Sequence, residues 1–326
     1  MISAVTGGAG FIGSHLVDHL LAAGDRVVVL DDLSTGSLDN LRPRLSDPKL
    51  LFLEGSVTDA RVVHEACAQA DRVFHLAAAV GVRRIIDQPL QSLRVNLHGT
   101  ENVLDAALAA KATVVLASTS EIYGKNTADA LSEDADRILG SPLLSRWSYA
   151  AAKGIDECFA HAYHRELGLK VVTARLFNTV GPRQTAYYGM VVPTLVGQAI
   201  RHESLTVFGT GNQTRCFSYV GDIAPALVAM SEKASIYGQA FNLGGAQEIS
   251  IINLARRIIA LTGSTSMIKL VSYKKAYGPG YEDMQRRVPD NTAARKAFGF
   301  KPTTGLDDII TEVAAYLRTK DNVAVT

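Results

Sequence analysis

Glycines at positions 7, 10 and 13 punctuate the run Thr6-Gly7-Gly8-Ala9-Gly10-Phe11-Ile12-Gly13. The run follows a short apolar segment, Ile2–Thr6, and opens a stretch with apolar residues at helical spacing, Phe11–Ala23. Between a strand and a helix this spacing serves an anion. Gly7 permits the tight turn, Gly10 lets backbone approach a pyrophosphate, and Gly13 lets the helix pack closely. The helix start adds free N–H groups and a partial positive charge. Asp31 closes the next apolar run and is followed by Asp32-Leu33-Ser34-Thr35, with no arginine. A carboxylate there suits the ribose hydroxyls of NAD and repels the 2′-phosphate of NADP. The expected cofactor is therefore NAD.

Tyr149 and Lys153 form a YxxxK pattern. On a helix, residues four apart share a face. A cationic lysine beside a phenol favours the phenolate, so the expectation is a tyrosine with a lowered pKa, usable as a base. A third cluster, Ser118-Thr119-Ser120-Glu121-Ile122-Tyr123-Gly124, ends the apolar run Thr113–Ala117. At the carboxyl end of a parallel strand, the hydroxyl of Thr119 can hold a reacting oxygen and the carboxylate of Glu121 can move a proton.

These groups need a scaffold. Apolar runs at 2–6, 26–30, 50–53, 72–76, 113–117 and 170–175 alternate with helical patterns near 59–69, 90–110 and 149–167. Continuous apolar strands alternating with helices predict a parallel sheet covered on both faces, a Rossmann-type doubly wound α/β fold. After Phe177, glycine and proline become frequent (Gly181-Pro182, Gly209, Gly211, Gly278-Pro279-Gly280), and helices remain at 191–201, 223–231 and 251–262. The expected division is a cofactor domain at 1–178 plus 216–243. A smaller mixed α/β substrate-binding domain takes 179–215 plus 244–326.

The 326 residues are 47% hydrophobic and 20% charged, with a net charge of +1, which excludes disordered and fibrous classes. No basic excess points to nucleic acid, and no apolar run is long enough for a bilayer. Cys67, Cys158 and Cys216 are too dispersed for a disulfide framework or a metal knuckle. Free thiols and a start without a basic-then-apolar leader lead to an expected cytoplasmic location, with no metal.

The three motifs, in this order, resemble the extended short-chain dehydrogenase/reductase family and, within it, the nucleotide-sugar branch. The likeness extends through TGGAGFIGSH (6–15), HLAA (75–78), Asn96 in NLHGT, STSEIYG (118–124) and YAAAK (149–153). It continues through RLFNTVGPRQ (175–184), LTVFGTGNQTRCFSYVGDI (205–223), FNLGG (241–245) and RRVPD (286–290). The resemblance implies that Tyr149 takes a proton from the sugar C4 hydroxyl while Thr119 holds the same oxygen. Lys153 assists the phenolate and binds the nicotinamide ribose. It also implies cofactor contacts from Phe11, Ile12, Asp32, Ser56, Val57, Leu76, Ala77, Ala78 and Asn96. Substrate contacts fall to Asn178, Arg183, Arg215 and Arg287. Where Ser56 stands, relatives often have an acid facing adenine.

A 4-keto sugar leads three ways: to a 4-epimer, to a 4,6-dehydrated sugar, or, from a C6 carboxylate, to loss of CO2. Glu121 stands in a TSE pattern that resembles UDP-glucuronate decarboxylases and some 4,6-dehydratases. Arg287 resembles the arginine that contacts the carboxylate region in decarboxylases and phosphate in relatives without a carboxylate, and the match over 205–223 puts UDP-glucuronate decarboxylase first. A 4-epimerase is the alternative, with a 4,6-dehydratase third and an NAD-sensing binding protein or a net oxidoreductase behind them. The stretch 79–89, with Arg83-Arg84, and Arg146-Trp147-Ser148 depart from the usual decarboxylase pattern. Trp147 fits either a sugar-stacking or a core role. His75 is read as a core residue, His98, His161 and His164 as surface or satisfied groups, and Cys158 as buried. The helices at 90–110 and 149–167 are more apolar than one sheet face requires. In this family they form a four-helix homodimer interface, so a homodimer acting on a UDP-sugar is expected.

Overall fold

The structure is a computed structural model that describes residues 1–81, 85, 87–186, 189–277 and 282–323. The pair Arg83-Arg84 and the segment Gly278-Pro279-Gly280 lie outside the described residues. The first part of the chain alternates strand and helix. It runs β1 (Ile2–Thr6), α1 (Phe11–Ala22), β2 (Arg26–Asp31), β3 (Leu50–Glu54), α2 (Ala60–Cys67) and β4 (Arg72–His75). It continues with α3 (Pro89–Ala110), β5 (Thr113–Thr119), α4 (Ser148–Leu167) and β6 (Val171–Leu176). The remainder contains β7 (Thr179–Val180), α5 (Val191–Ile200), β8 (Leu205–Phe208), β9 (Thr214–Cys216), β10 (Ser218–Tyr219), α6 (Val220–Ser231) and β11 (Ala240–Leu243). It closes with β12 (Glu248–Ser250), α7 (Ile251–Thr262), β13 (Ile268–Val271), α8 (Tyr273–Tyr277), β14 (Arg286–Arg287), α9 (Thr292–Phe298) and α10 (Leu306–Val323).

Seven strands form one sheet in the order β11-β6-β5-β4-β1-β2-β3. Every pairing in it is parallel. The order reverses between β1 and β4, which opens a crevice at the carboxyl ends of the strands. Alternation within each strand builds the two cores. Phe74 and Val115 face one side, with Leu16 and Leu20 of α1 and Ile223 and Leu227 of α6. Val73, Val114 and Leu116 face the other, with Val63 of α2, Leu104 of α3 and Ala160 of α4. Because both faces are covered, these strands read as unbroken apolar runs.

A separate core joins Leu195 of α5, Val207 of β8, Leu254 and Ile258 of α7 and Ile310 of α10. The chain returns to the first core in between. Ala294 and Phe300 pack there, and Phe298 meets Phe241 edge-on with ring centroids 5.3 Å apart. The helices α9 and α10 and the short strands β7 to β10 and β12 to β14 extend the sequence reading. Strands of two to four residues carry too little periodicity to be read locally. Among the described residues, no helix is long and apolar enough to cross a membrane.

Two expectations about individual side chains are settled by packing. His75 is core: it is 1% exposed. Cys158, expected to be buried, is exposed. It sits one turn after the exposed Ile155, on the face of α4 turned away from the sheet.

Candidate active site

The crevice at the strand ends is a cleft of about 900 Å³. Its floor is the glycine loop. A Cβ on Gly13 would stand 2.1 Å from the Gly7 carbonyl oxygen, and one on Gly7, at φ +73°, would stand 2.7 Å from Ala77 N. Gly10 caps α1 without a side-chain hydrogen bond, and no acidic residue occupies the first turn. The helix start therefore faces the cleft with its positive end uncompensated by side chains, as a pyrophosphate requires. Asp31 receives hydrogen bonds from Ala9 N (2.9 Å) and Leu33 N (2.9 Å), which fix its carboxylate at the rim. Burial raises its pKa against those bonds. The residues present fit the diphosphate and adenosine ribose of a dinucleotide.

At the other end, β5 delivers Thr119 and the turn after it delivers Glu121. Helix α4 presents Tyr149 and Lys153 to the same cleft. The Thr119 hydroxyl is a hydrogen-bond partner of the Tyr149 phenol. Expected to be lowered, that phenol is instead pushed up. Burial dominates, the carboxylates of Glu121 and Asp156 add to it, and Thr119 and Arg287 oppose. The Lys153 ammonium is engaged elsewhere, 3.1 Å from Asp156 Oδ2.

Glu121 is held between two guanidinium groups. Arg146 Nη1 stands 2.6 Å from Oε2, and Arg287 Nη1 stands 3.4 Å from Oε1. Burial would raise the carboxyl, but Arg146, Arg287 and Arg215 together bring it below its ordinary value. Arg287 is buried and crowded by Arg215, which lowers it to about 10. Its Nη2 donates to Asn178 Oδ1 at 2.9 Å. Arg215 pairs with Asp283 at 3.0 Å, and Asp283 also accepts from the Tyr273 hydroxyl at 2.8 Å. A cluster with this surplus of cations suits an anionic ligand.

Most of the residues expected in the site line this cleft, and three do not. Arg183 turns away and pairs with Asp18 of α1 at 2.7 Å. Its backbone stands at φ +68°, just after Gly181-Pro182. Ser56 spends its hydroxyl within its own turn, on Thr58 at 2.9 Å and on the Thr58 N–H. Asn96 lies behind the wall, where its Oδ1 accepts from Ala79 N at 2.9 Å and so shapes the lining strand end. Trp147 is core, 2% exposed, with its indole N–H on Glu282 at 2.9 Å.

Sequence reasoning missed Arg146 as a partner of Glu121, and missed the brace behind the site. In that brace Arg175 of β6 donates to Glu157 of α4 at 2.7 Å and to Tyr123 Oη at 2.9 Å, and Ser118 of β5 donates to the same Glu157. It locks the spacing of Thr119 against Tyr149. A glutamate two turns past Tyr149 on the same helix was the available signal.

A family profile described as GDP-mannose 4,6 dehydratase matches residues 4–313. A UDP-N-acetyl-alpha-D-glucosaminuronate decarboxylase of Bacillus cytotoxicus is 38% identical over 320 residues, 98% of each chain. UDP-glucuronic acid decarboxylase 1 of Xenopus tropicalis is 35% identical over 314 residues, 96% of this chain and 71% of that protein. The solved structure of DesIV, a dTDP-glucose 4,6-dehydratase from Streptomyces venezuelae with NAD and TYD bound, superposes with a TM-score of 0.89. It is 28% identical and covers 99% of this chain and 98% of that one. With its sheet order, glycine loop and Thr119–Tyr149–Lys153 group in one cleft, the chain belongs to the GDP-mannose 4,6 dehydratase family of extended short-chain dehydrogenases/reductases.

Proposed function

We propose that the protein is an NAD-dependent decarboxylase of a UDP-linked hexuronic acid. UDP-glucuronate is the first substrate to test, and its 2-acetamido counterpart is the second. The observation that carries this reading is Glu121 clasped by Arg146 and Arg287 beside the Thr119–Tyr149 pair. A C6 carboxylate entering that corner meets guanidinium groups already arranged for an anion, and Glu121 stands ready near C5. The names of the relatives from Bacillus cytotoxicus and Xenopus tropicalis point the same way.

Gly7, Gly10 and Gly13 would hold the pyrophosphate and Asp31 the adenosine ribose. NAD, when bound, accepts a hydride from sugar C4 and later returns it. Tyr149 Oη takes the proton of the C4 hydroxyl, with the Thr119 hydroxyl orienting that oxygen. The resulting ketone sits β to the carboxylate, so the C5–C6 bond breaks with release of CO2 and its electron pair becomes an enolate. Tyr149 and Thr119 stabilise that enolate oxygen. Glu121, as an anion, orients the ring and the water that supplies the proton replacing CO2 at C5. Arg215, Arg287 and Asn178 hold the anionic end of the nucleotide sugar.

The enzyme acts in the cytoplasm, consistent with three free thiols. It works as a homodimer through α3 and α4, where Leu90, Ile155 and Leu167 lie exposed. Incubation with NAD and each UDP-sugar, read by mass spectrometry and NMR, tests the reaction. Loss of CO2 with a pentose nucleotide as product is expected. Unchanged mass with inverted C4 would instead make it a 4-epimerase, and loss of water a dehydratase. Accumulating reduced nicotinamide would make it a net oxidoreductase.

A further inference from the structure

Asp156 is a charged side chain that the reaction above does not use, yet it is wholly buried. It lies one turn after Lys153 on α4, and the two side chains are 0% and 2% exposed. The Lys153 Nζ to Asp156 Oδ2 distance is 3.1 Å. Neither carboxylate oxygen meets strict hydrogen-bond geometry, so charge is the main tie. The Thr100 hydroxyl of α3 also acts on the same carboxylate, favouring its charged form.

Behind Thr100 lies a row of buried polar groups. The Thr100 hydroxyl stands 3.1 Å from His75 Nε2, and His75 Nδ1 stands 2.7 Å from the Thr6 hydroxyl. Thr6 Oγ1 in turn accepts from Ala77 N at 3.3 Å. The row joins the surroundings of the carboxylate to the glycine loop.

We propose that Asp156 is a positioning residue for Lys153: its carboxylate seats the ammonium in the core of the site and takes up part of the field that would otherwise act on Tyr149. This rests on the reading of Tyr149 as the base. Two anions compete for one ammonium, the fixed carboxylate of Asp156 and the phenolate that must form at Tyr149. The pair is itself neutral, and Lys153 is shared with the phenolate only as that charge develops.

Other groups do not account for the same effect. Lys153, Tyr149 and Glu157 face Asp156 from α4, and Glu157 is bound by Arg175 and Ser118. His75 on β4 is driven by burial, then by Lys153, to about 3 and stays neutral across the working range. Glu121 and Arg287 act on Tyr149 from the opposite wall.

Asp156→Asn keeps the shape and removes the charge. The ionisation of Tyr149, read as the ultraviolet difference between each protein and its Tyr149→Phe counterpart, is expected to move to lower pH by about one unit. The acid limb of kcat/KM should move with it. An unmoved phenol, with only a uniform fall in kcat, would overturn the proposal. Thermal unfolding supplies a readout free of turnover. Asp156→Asn should lower Tm, and adding Lys153→Met should recover part of the loss; simply additive losses would count against the pair. Asp156→Glu retains the charge and should keep the wild-type pH profile even if Tm falls. A profile matching that of the Asn variant would reduce Asp156 to packing. Full turnover by Tyr149→Phe would instead overturn the assignment of the base, while the Tm coupling would still judge the Lys153–Asp156 pair.

Discussion

Glu121 shows how a single side chain can direct a shared intermediate. Every branch of this chemistry needs Tyr149 at C4, but only some need a proton handled at C5. Glu121→Gln is therefore expected to slow decarboxylation about 100-fold while hydride exchange at C4 falls much less. Reduced nicotinamide formed on the enzyme in a single turnover, read by its near-ultraviolet absorbance, against CO2 released measures the two steps; equal losses would remove Glu121 from the branch. His75 gives a second prediction at this scale. Folded, it takes a proton only near pH 3, whereas the unfolded chain takes one near 6.5. Its contribution to stability is thus complete above 6.5 and is lost as pH falls toward 3, by up to about 1.4 kcal/mol per pH unit. His75→Gln should flatten that part of the stability-against-pH curve, whatever its absolute offset, when urea midpoints are followed from pH 7 to pH 4. The glycines, Tyr149, Lys153, Thr119 and Glu121 were legible because motif spacing alone fixes their place. Arg146 was not, because its partner Glu121 comes from another element. Asp156 stands three residues after Lys153, but its complete burial, which gives the pair its weight, is a tertiary property.

At the scale of elements, the apolar runs gave up the sheet readily, since burial on both faces leaves an unbroken signature in β2, β5 and β6. The short strands after β6 exist through tertiary pairing and were not readable. Cys158 and Arg183 illustrate the limit further. One lies on the outer stripe of a helix whose buried stripe combines small residues with Lys153 and Asp156. The other follows a turn whose handedness no local pattern announces. One tight element contact is the glycine loop. Gly13→Ala drives a methyl group into the Gly7 carbonyl and the Gly8 backbone. Neither can yield without unseating α1 from β1, so the expected cost is about 3 kcal/mol, with loss of NAD binding. Differential scanning calorimetry and cofactor titration check both; a stable Gly13→Ala protein that binds NAD normally would contradict the packing described.

For the whole molecule, the outward face of α3 and α4 carries the proposed assembly. Ile155 is 46% exposed in the single chain, flanked by Cys158. Ile155→Glu should convert a dimer into a monomer at micromolar concentration, seen by light scattering, with the secondary structure unchanged. A monomeric wild type would discard the α3–α4 interface. The sheet is also tied to the segment around Leu131. The bridge between Leu131 and Pro289 and the Asn242 amide donating to the Leu131 carbonyl at 2.8 Å both cross between distant stretches of chain.

The place of β11 has a consequence for how the protein is made. It completes the sheet beside β6, but the chain reaches it only after β7 to β10 and two helices have been laid down. During synthesis the nascent chain therefore emerges from the ribosome with a bare, sticky rim along Val171–Leu176. A messenger cut short before Ala240 would yield a product fit for chaperones or proteases and not for catalysis.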